Sequence, residues 1–343
     1  MFIKPQRLKR GDTVATISPS WGGAGEPALQ WRYKQGIQRL EDVFGLNVIA
    51  MPNSLKGADY LYHHPEARAD DLMEAFKDSS IKAIIANIGG EDSIRLLPYI
   101  DMVTIRENPK IVMGYSDVTV LQFMCMKAGL TSFYGPAILT DFAENVEMDS
   151  YTIDFIERTL FSTEPVGNIQ PAKHWTSEFI DWVEGNHHIR RNMRQHTGYE
   201  VLQGKGIVQG PLIGGCMEVL ETLKGTELWP SKEMWRDCIL FFETSEEKPP
   251  PRSIRYWLRN YAAQGILDQV NGIIFGKPQD EEHYEAYKVE IITVMKEYEL
   301  QHIPIMYNAN FGHTEPKCIL PYGVQAEINC EQQTFSIIEN GVQ

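Results

Sequence analysis

The chain has 343 residues, 43% of them hydrophobic and 23% charged, and a net charge of −14. Such a length calls for two domains, and such a charge argues against general binding to nucleic acid phosphates. No run of about eighteen apolar residues marks a membrane span. The segment Met1–Arg7 lacks the apolar stretch of a secretory signal. The five Cys are scattered, at 125, 216, 238, 318 and 330, with no C-x-x-C pair. This fits a reducing cytoplasm better than a disulfide framework.

In chain order, Thr13–Ile17 alternates as a strand and ends at Ser18-Pro19-Ser20. Gly22–Gly25 is glycine-rich, but no Lys-Ser or Lys-Thr follows at phosphate-loop spacing, so it reads as a loop. Pro27–Phe44 and Pro65–Lys77 read as helices with Pro in the first turn, and Asn47–Ala50 as the strand between them. Ile81–Ile88 is an apolar run typical of a strand buried on both faces; Gly89-Gly90-Glu91-Asp92 closes it.

Next comes Pro109-Lys110-Ile111-Val112-Met113-Gly114-Tyr115-Ser116-Asp117. Ile111–Met113 reads as a short strand, and Asp117–Leu130 as a buried helix. Ser116 therefore sits at a strand-to-helix turn, where its hydroxyl projects above a sheet beside free helix N–H groups. That is the logic of a nucleophile elbow, although Val118 stands where G-x-S-x-G needs Gly. A helix N-cap is the simpler role for the same Ser. A strand-like piece, Ser132–Pro136, and a helix, Met148–Phe161, complete this half. The strand–helix rhythm predicts a parallel α/β sheet whose ligands gather beyond the strand carboxyl ends.

Residues 163–206 change character, with Pro165, Pro171, several Gly and little periodicity, as in a linker or mobile loop. The segment holds Trp175, Trp182 and a basic cluster of His187, His188, Arg190, Arg191, Arg194 and His196. A solvated surface loop accounts for such a cluster as well as a binding role does. The second half alternates again: strand Ile207–Gly215 with a helix to Leu223, strand Cys238–Phe242 ending in Glu243, and helix Pro251–Gln264. Strand Asn271–Phe275, helix Glu281–Tyr298 and strand Ile303–Tyr307 follow. Phe311-Gly312-His313-Thr314 makes a turn, and residues 324–328 and 334–338 form a terminal hairpin.

A serine needs a base to take its proton, usually a His oriented by a carboxylate. Ser116, Glu243 and His313 occur in the order Ser, acid, His and sit at strand ends in separate halves, which puts a candidate site at the domain interface. Glu243 as an exposed strand-end charge and His313 as a turn residue are the plainer alternatives. No H-E-x-x-H occurs, and His63-His64 and His187-His188 lack a carboxylate at ligand spacing, so no metal is expected.

The motifs Gly114-Tyr115-Ser116-Asp117-Val118-Thr119, Gly89-Gly90-Glu91-Asp92, Gly210-x-Leu-x-Gly-Gly, Phe242-Glu243, Phe311-Gly312-His313-Thr314 and Leu320-Pro321-Tyr322-Gly323-Val324 resemble those of the LD-carboxypeptidase family of serine peptidases. The likeness runs from Gly11 to Ala326. It implies a Ser116–Glu243–His313 triad, an oxyanion hole from the backbone N–H groups of Gly90 and Asp117, no cofactor or metal, and a cytoplasmic, commonly dimeric enzyme. Two N–H groups aimed at one point suit a tetrahedral intermediate.

Within the family, one branch trims the terminal D-alanine of the murein tetrapeptide. Another, the microcin C immunity branch, cleaves between an aspartyl group and a nucleotide. The extended 163–206 segment resembles the second. It implies that Trp182 or Trp175 stacks on a base while Arg190, Arg191 and Arg194 approach a phosphate. Cys216 departs from the Asn expected after the Gly-Gly pair and bears on local packing.

The expected fold is therefore α/β. A flavodoxin-like parallel-sheet domain (residues 1–165) carries the nucleophile. A linker and substrate loop (166–206) follows, then a swivelling-type C-terminal α/β domain with a mixed sheet (207–343) carrying acid and base. A small-molecule substrate, with neither nucleic acid nor membrane as partner, completes the expectation. A non-catalytic small-molecule binder using the same cleft is the alternative from another class.

Overall fold

The computed structural model describes residues 2–343 and contains two sheets. The strands of the first half are β1 (Thr13–Ile17), β2 (Asn47–Ala50), β3 (Ile81–Ala86), β4 (Ile111–Gly114) and β5 (Phe133–Tyr134). They pair in parallel in the order β2-β1-β3-β4-β5. This is the flavodoxin-like order, with its switch point between β1 and β3. The carboxyl ends of those two strands lead into Ser18–Ser20 and Gly89–Asp92.

The 166–206 segment is not a free linker. It supplies β6 (Gly167–Ile169), a hairpin of β7 (His174–Trp175) and β8 (Arg194–Gln195), and β9 (Glu200–Gln203). The later strands are β10 (Ile207–Cys216), β11 (Ile239–Glu243), β12 (Gly272–Gly276), β13 (Ile305–Ala309), β14 (Leu320–Pro321), β15 (Gln325–Asn329) and β16 (Thr334–Ile337). The second sheet runs β6-β16-β15-β10-β11-β12-β13-β9, so the segment closes both of its edges. β10 to β13 are parallel, and antiparallel strands flank them, which makes the sheet mixed. In exchange, β14 crosses back and pairs antiparallel with β5, adding a strand to the first sheet.

The helices α1 (Gln30–Phe44), α2 (Ala58–His63), α3 (Pro65–Lys77), α4 (Met102–Glu107), α5 (Thr119–Ala128), α6 (Ser150–Ile156), α7 (Met217–Leu223), α8 (Pro251–Ala263) and α9 (Tyr284–Glu297) complete the layers. α1 starts at Gln30, later than Pro27 suggests; ahead of it the Glu26 carboxylate accepts the Ala58 N–H at 2.6 Å. The helix expected through Phe161 is α helical only to Ile156 and continues as a π turn over Glu157–Phe161. α5 is buried on nearly every face, from Thr119 to Ala128. Its sequence is nearly all apolar, interrupted by Thr119, Gln122 and the exposed Lys127, and a helix with almost no polar face must lie inside. Among the described residues no helix is long and apolar enough to cross a membrane.

Candidate active site

Ser116 follows β4 and has φ +62°, a left-handed conformation that is costly for any residue with a Cβ. A strand must turn sharply here to enter α5, and the turn lifts the side chain off the sheet. Two contacts fix it. The Thr119 hydroxyl donates to the Ser116 carbonyl at 2.7 Å, and the Ser116 N–H donates to the Tyr134 hydroxyl at 3.1 Å. Ser116 is therefore neither a conventional N-cap nor a free loop residue.

Glu243 ends β11 and is 2% exposed. Both of its oxygens are occupied: Oε1 accepts the Tyr134 hydroxyl at 2.5 Å, and Oε2 lies 2.7 Å from His313 Nδ1. A buried carboxylate without such partners would be costly. Burial, with the charge of Glu243, holds the Tyr134 hydroxyl far above its ordinary pKa, so it remains a donor. Tyr134 thus ties the serine backbone to the carboxylate that orients the imidazole.

His313 follows β13 and is buried. Its neighbour Gly312 has φ +97°, and a Cβ there would stand 2.5 Å from Glu243 Oε2, so a glycine is what lets the carboxylate reach the ring. The ring meets Tyr115 edge-on at 5.0 Å. Its second nitrogen, Nε2, is not open: Glu246 Oε2 lies 3.1 Å away. Burial alone would lower the His313 pKa. The charge and hydrogen bond of Glu243, then those of Glu246, reverse that and raise it to about 10. The hydrogen bond from His313 in turn lowers Glu246 to about 2. The ring is clamped between two carboxylates, an arrangement that favours its protonated form.

The Gly89-Gly90 loop lies against the elbow, since a Cβ on Gly89 would come within 3.0 Å of Ser116 Oγ and 3.3 Å of the Asp117 nitrogen. Neither the Gly90 nor the Asp117 N–H donates to an acceptor among the described residues. The Asp117 carboxylate accepts the Ser93 N–H at 2.7 Å and so braces the far end of the same loop. Arg68, fully buried, forks onto Asp92 at 2.7 and 3.1 Å and donates to the Pro19 and Ser20 carbonyls. The switch-point loops are thereby held as one rigid unit. Rigid donors aimed at a point where charge develops are the basis of electrostatic catalysis.

These groups open onto a cavity of about 650 Å³ between the two halves. Trp182 lines it, half-buried, with the Arg32 guanidinium 4.5 Å from its ring centre. Arg32 has no carboxylate partner among the described residues; it donates to the Leu139 carbonyl and to Asn145 Oδ1. Asn145 in turn holds the loop carbonyls of Asn186 and Ile189. Arg191 also lines the cavity, but its charge is spent on Glu144 and Glu315.

Trp175, Arg190 and Arg194 lie outside the lining. Trp175 is 1% exposed and packed under Lys277 and Arg194, because the β7–β8 register sets Arg194 directly opposite it. Arg190 is exposed and pairs with Glu147. Cys216 is accommodated: its N–H donates to the Thr119 hydroxyl and its thiol faces Glu218. Tyr134, Arg32 and the seat of Glu246 on Nε2 were not singled out from the sequence. Tyr134 lies in a two-residue strand and Arg32 in an ordinary amphipathic helix, and neither local pattern marks a site.

Residues 14–135 match the model of the LD-carboxypeptidase N-terminal domain and residues 209–328 that of the C-terminal domain. The chain belongs to the LD-carboxypeptidase family. It is a serine hydrolase of that family. Microcin C7 self-immunity protein MccF of Escherichia coli is 29% identical over 97% of this chain and 94% of its own. The crystal structure of an MccF-like protein from Streptococcus pneumoniae in complex with AMP is 36% identical, with a TM-score of 0.88 over 95% of this chain and 98% of that one. The structure of MccF in complex with aspartyl sulfamoyl adenosine is 26% identical, with a TM-score of 0.86 over 99% of this chain and 100% of that one.

Proposed function

We propose that this serine hydrolase acts through Ser116 as nucleophile, His313 as general base and then acid, and Glu243 as the carboxylate that orients and stabilises the imidazolium. Its substrate in this reading is an aminoacyl nucleotide of the microcin C type, cleaved at the amide-like bond between the aspartyl group and the nucleotide, which gives self-immunity or detoxification. The observation that carries the substrate class is Trp182 in the wall of the cavity that Ser116 and His313 share, with a cation on one side of its ring. With Phe179 5.9 Å away in the same wall, the indole is an aromatic platform for a base. The relatives solved with AMP and with aspartyl sulfamoyl adenosine support the same class.

In the reaction, Ser116 Oγ attacks the acyl carbon and its proton passes to His313 Nε2. The oxyanion is received by the Gly90 and Asp117 N–H groups. His313 returns the proton to the leaving nitrogen, and water then releases the acyl group by the same steps in reverse. No metal or cofactor enters this scheme. We read the enzyme as cytoplasmic and homodimeric. Five cysteines, all buried and unpaired, support the first, and the family resemblance supports the second.

Murein tetrapeptide trimming is the second reading, favoured by the family's own activity. Hydrolysis of the tetrapeptide and of aspartyl sulfamoyl adenosine, measured side by side, separates the two; turnover of the tetrapeptide alone would overturn the nucleotide reading. Trp182→Ala is expected to weaken the nucleotide substrate about ten- to hundred-fold, the usual worth of one stack, and to leave a substrate without a base nearly unaffected. Equal losses on both would make Trp182 a packing residue.

The pH dependence follows from the clamp on His313. A general base must be neutral, and this one stays protonated below about 10. The free-enzyme kcat/KM should therefore fall about tenfold per unit as pH drops from 9 to 7, measured on a substrate with no group titrating in that range. Glu246→Gln removes one of the two carboxylates and should move this limb to lower pH. A profile flat from pH 5 to 8 in the wild type would count against His313 as the base.

A further inference from the structure

Glu246 occupies the atom that the reaction needs. Nε2 must be open to take the serine proton, yet Glu246 Oε2 stands 3.1 Å from it. Unlike Glu243, which is sealed in, the Glu246 side chain is 64% exposed and lines the cavity. It pairs with no Lys or Arg among the described residues. It is a mobile-length side chain with one partner inside the protein and the substrate space on its other side.

The cavity wall as a whole is acidic. It carries the carboxylates of Glu91, Asp92, Glu144, Glu178, Glu246 and Glu315 against two arginines, Arg32 and Arg191. Asp92 is neutralised by Arg68 and Arg95, and Glu144 and Glu315 by Arg191. Glu246 is the carboxylate of this set that touches the catalytic ring, and an incoming cation is the chemistry that would draw it away.

We propose that Glu246 is a specificity-determining residue that binds an ammonium group on the acyl part of the substrate, next to the scissile carbonyl, and that this exchange frees His313 Nε2 for Ser116. The inference rests on the proposed hydrolytic function and names what its acyl group must carry. Ser116, His313 and Glu246 line one cavity. A carbonyl carbon poised for attack lies about 3 Å from the serine oxygen, and an α-nitrogen is two bonds from that carbon. The ammonium therefore reaches the neighbourhood of Nε2, where the carboxylate already lies. The carboxylate changes partner, from imidazolium to ammonium; with it gone the imidazolium releases its Nε2 proton to solvent water, and the freed lone pair can take the proton of Ser116.

The consequence for substrate class is specific. An aminoacyl nucleotide has a free α-ammonium at this place. In the interior of a peptide the same nitrogen is an amide, which carries no charge and cannot take the carboxylate from an imidazolium. Glu246 thus selects a terminal aminoacyl group over a peptidyl one.

The test uses two probes, aspartyl sulfamoyl adenosine and its analogue with hydrogen in place of the α-ammonium. Their affinities are measured by calorimetry on the full chain as Ser116→Ala, which blocks turnover, and as Ser116→Ala with Glu246→Gln. The first variant should prefer the ammonium form about ten- to hundred-fold, the worth of a hydrogen bond between charged groups. In the second the preference should collapse to about threefold or less, through lost affinity for the ammonium form alone. Glu246→Gln is isosteric at an exposed side chain, and an unchanged thermal midpoint confirms the fold. A preference that survives Glu246→Gln, or equal weakening of both probes, overturns the proposal. Wild-type protein that binds with the predicted preference but hydrolyses neither probe sinks the hydrolytic reading, and with it the freeing of Nε2, and leaves the ammonium contact of Glu246 standing. Binding of neither probe overturns both.

Discussion

Ser116→Ala and His313→Ala are each expected to lower turnover by about 10⁴- to 10⁶-fold, with Glu243→Ala toward the smaller end. The losses should not add: Ser116→Ala combined with His313→Ala should be no slower than the worse single variant, because a base without its nucleophile has nothing to activate. Glu243 needs a second variant, since its buried carboxylate holds both Tyr134 and His313 and its removal disturbs packing. Glu243→Gln keeps the shape and removes the charge. It should stay folded, with a lowered thermal midpoint, while losing most activity. Near wild-type rates in Glu243→Gln would remove Glu243 from the orienting role.

Gly90→Ala should cost about 10²- to 10³-fold in kcat with a small change in KM, the usual price of one oxyanion donor. Gly90 has φ +147°, and a Cβ there would lie 2.3 Å from Ser20 Oγ and 2.9 Å from the Trp21 nitrogen. A side chain can be admitted only by turning the backbone, and that swings the N–H away from the elbow. The effect falls on kcat because the oxyanion exists only in the transition state and intermediate. Steady-state kinetics with a melting curve decides it: full activity in a folded Gly90→Ala would remove Gly90 from the oxyanion hole.

The central strands were legible because each is a short apolar run closed by Gly or a polar residue. Ile111–Gly114 and Ile239–Glu243 are the two that matter, for they carry Ser116 and Glu243 at their ends. α5 was legible for the same reason: its composition leaves it nowhere to be but inside. The long segment before residue 206 reads as a linker because β6, β7, β8 and β9 are two to four residues each. Such strands have no periodicity of their own, and only partners distant in sequence make them strands.

By itself the sequence determined the alternation of strand and helix, the serine at a strand-to-helix turn, the glycine pair after the preceding strand, and the order of serine, glutamate and histidine. All of these are local, set by hydrophobic periodicity, backbone freedom and chemistry within a few residues. Tertiary structure alone decided that Tyr134 joins Ser116 to Glu243, that Trp182 faces the cavity while Trp175 is sealed beneath Arg194, and that Glu246 closes Nε2. Each of these depends on contacts between residues far apart in the chain, or on which way a side chain turns once its neighbours are packed. Local pattern holds no information about either, because the energy that selects them comes from burial and from partners that only the folded chain brings together.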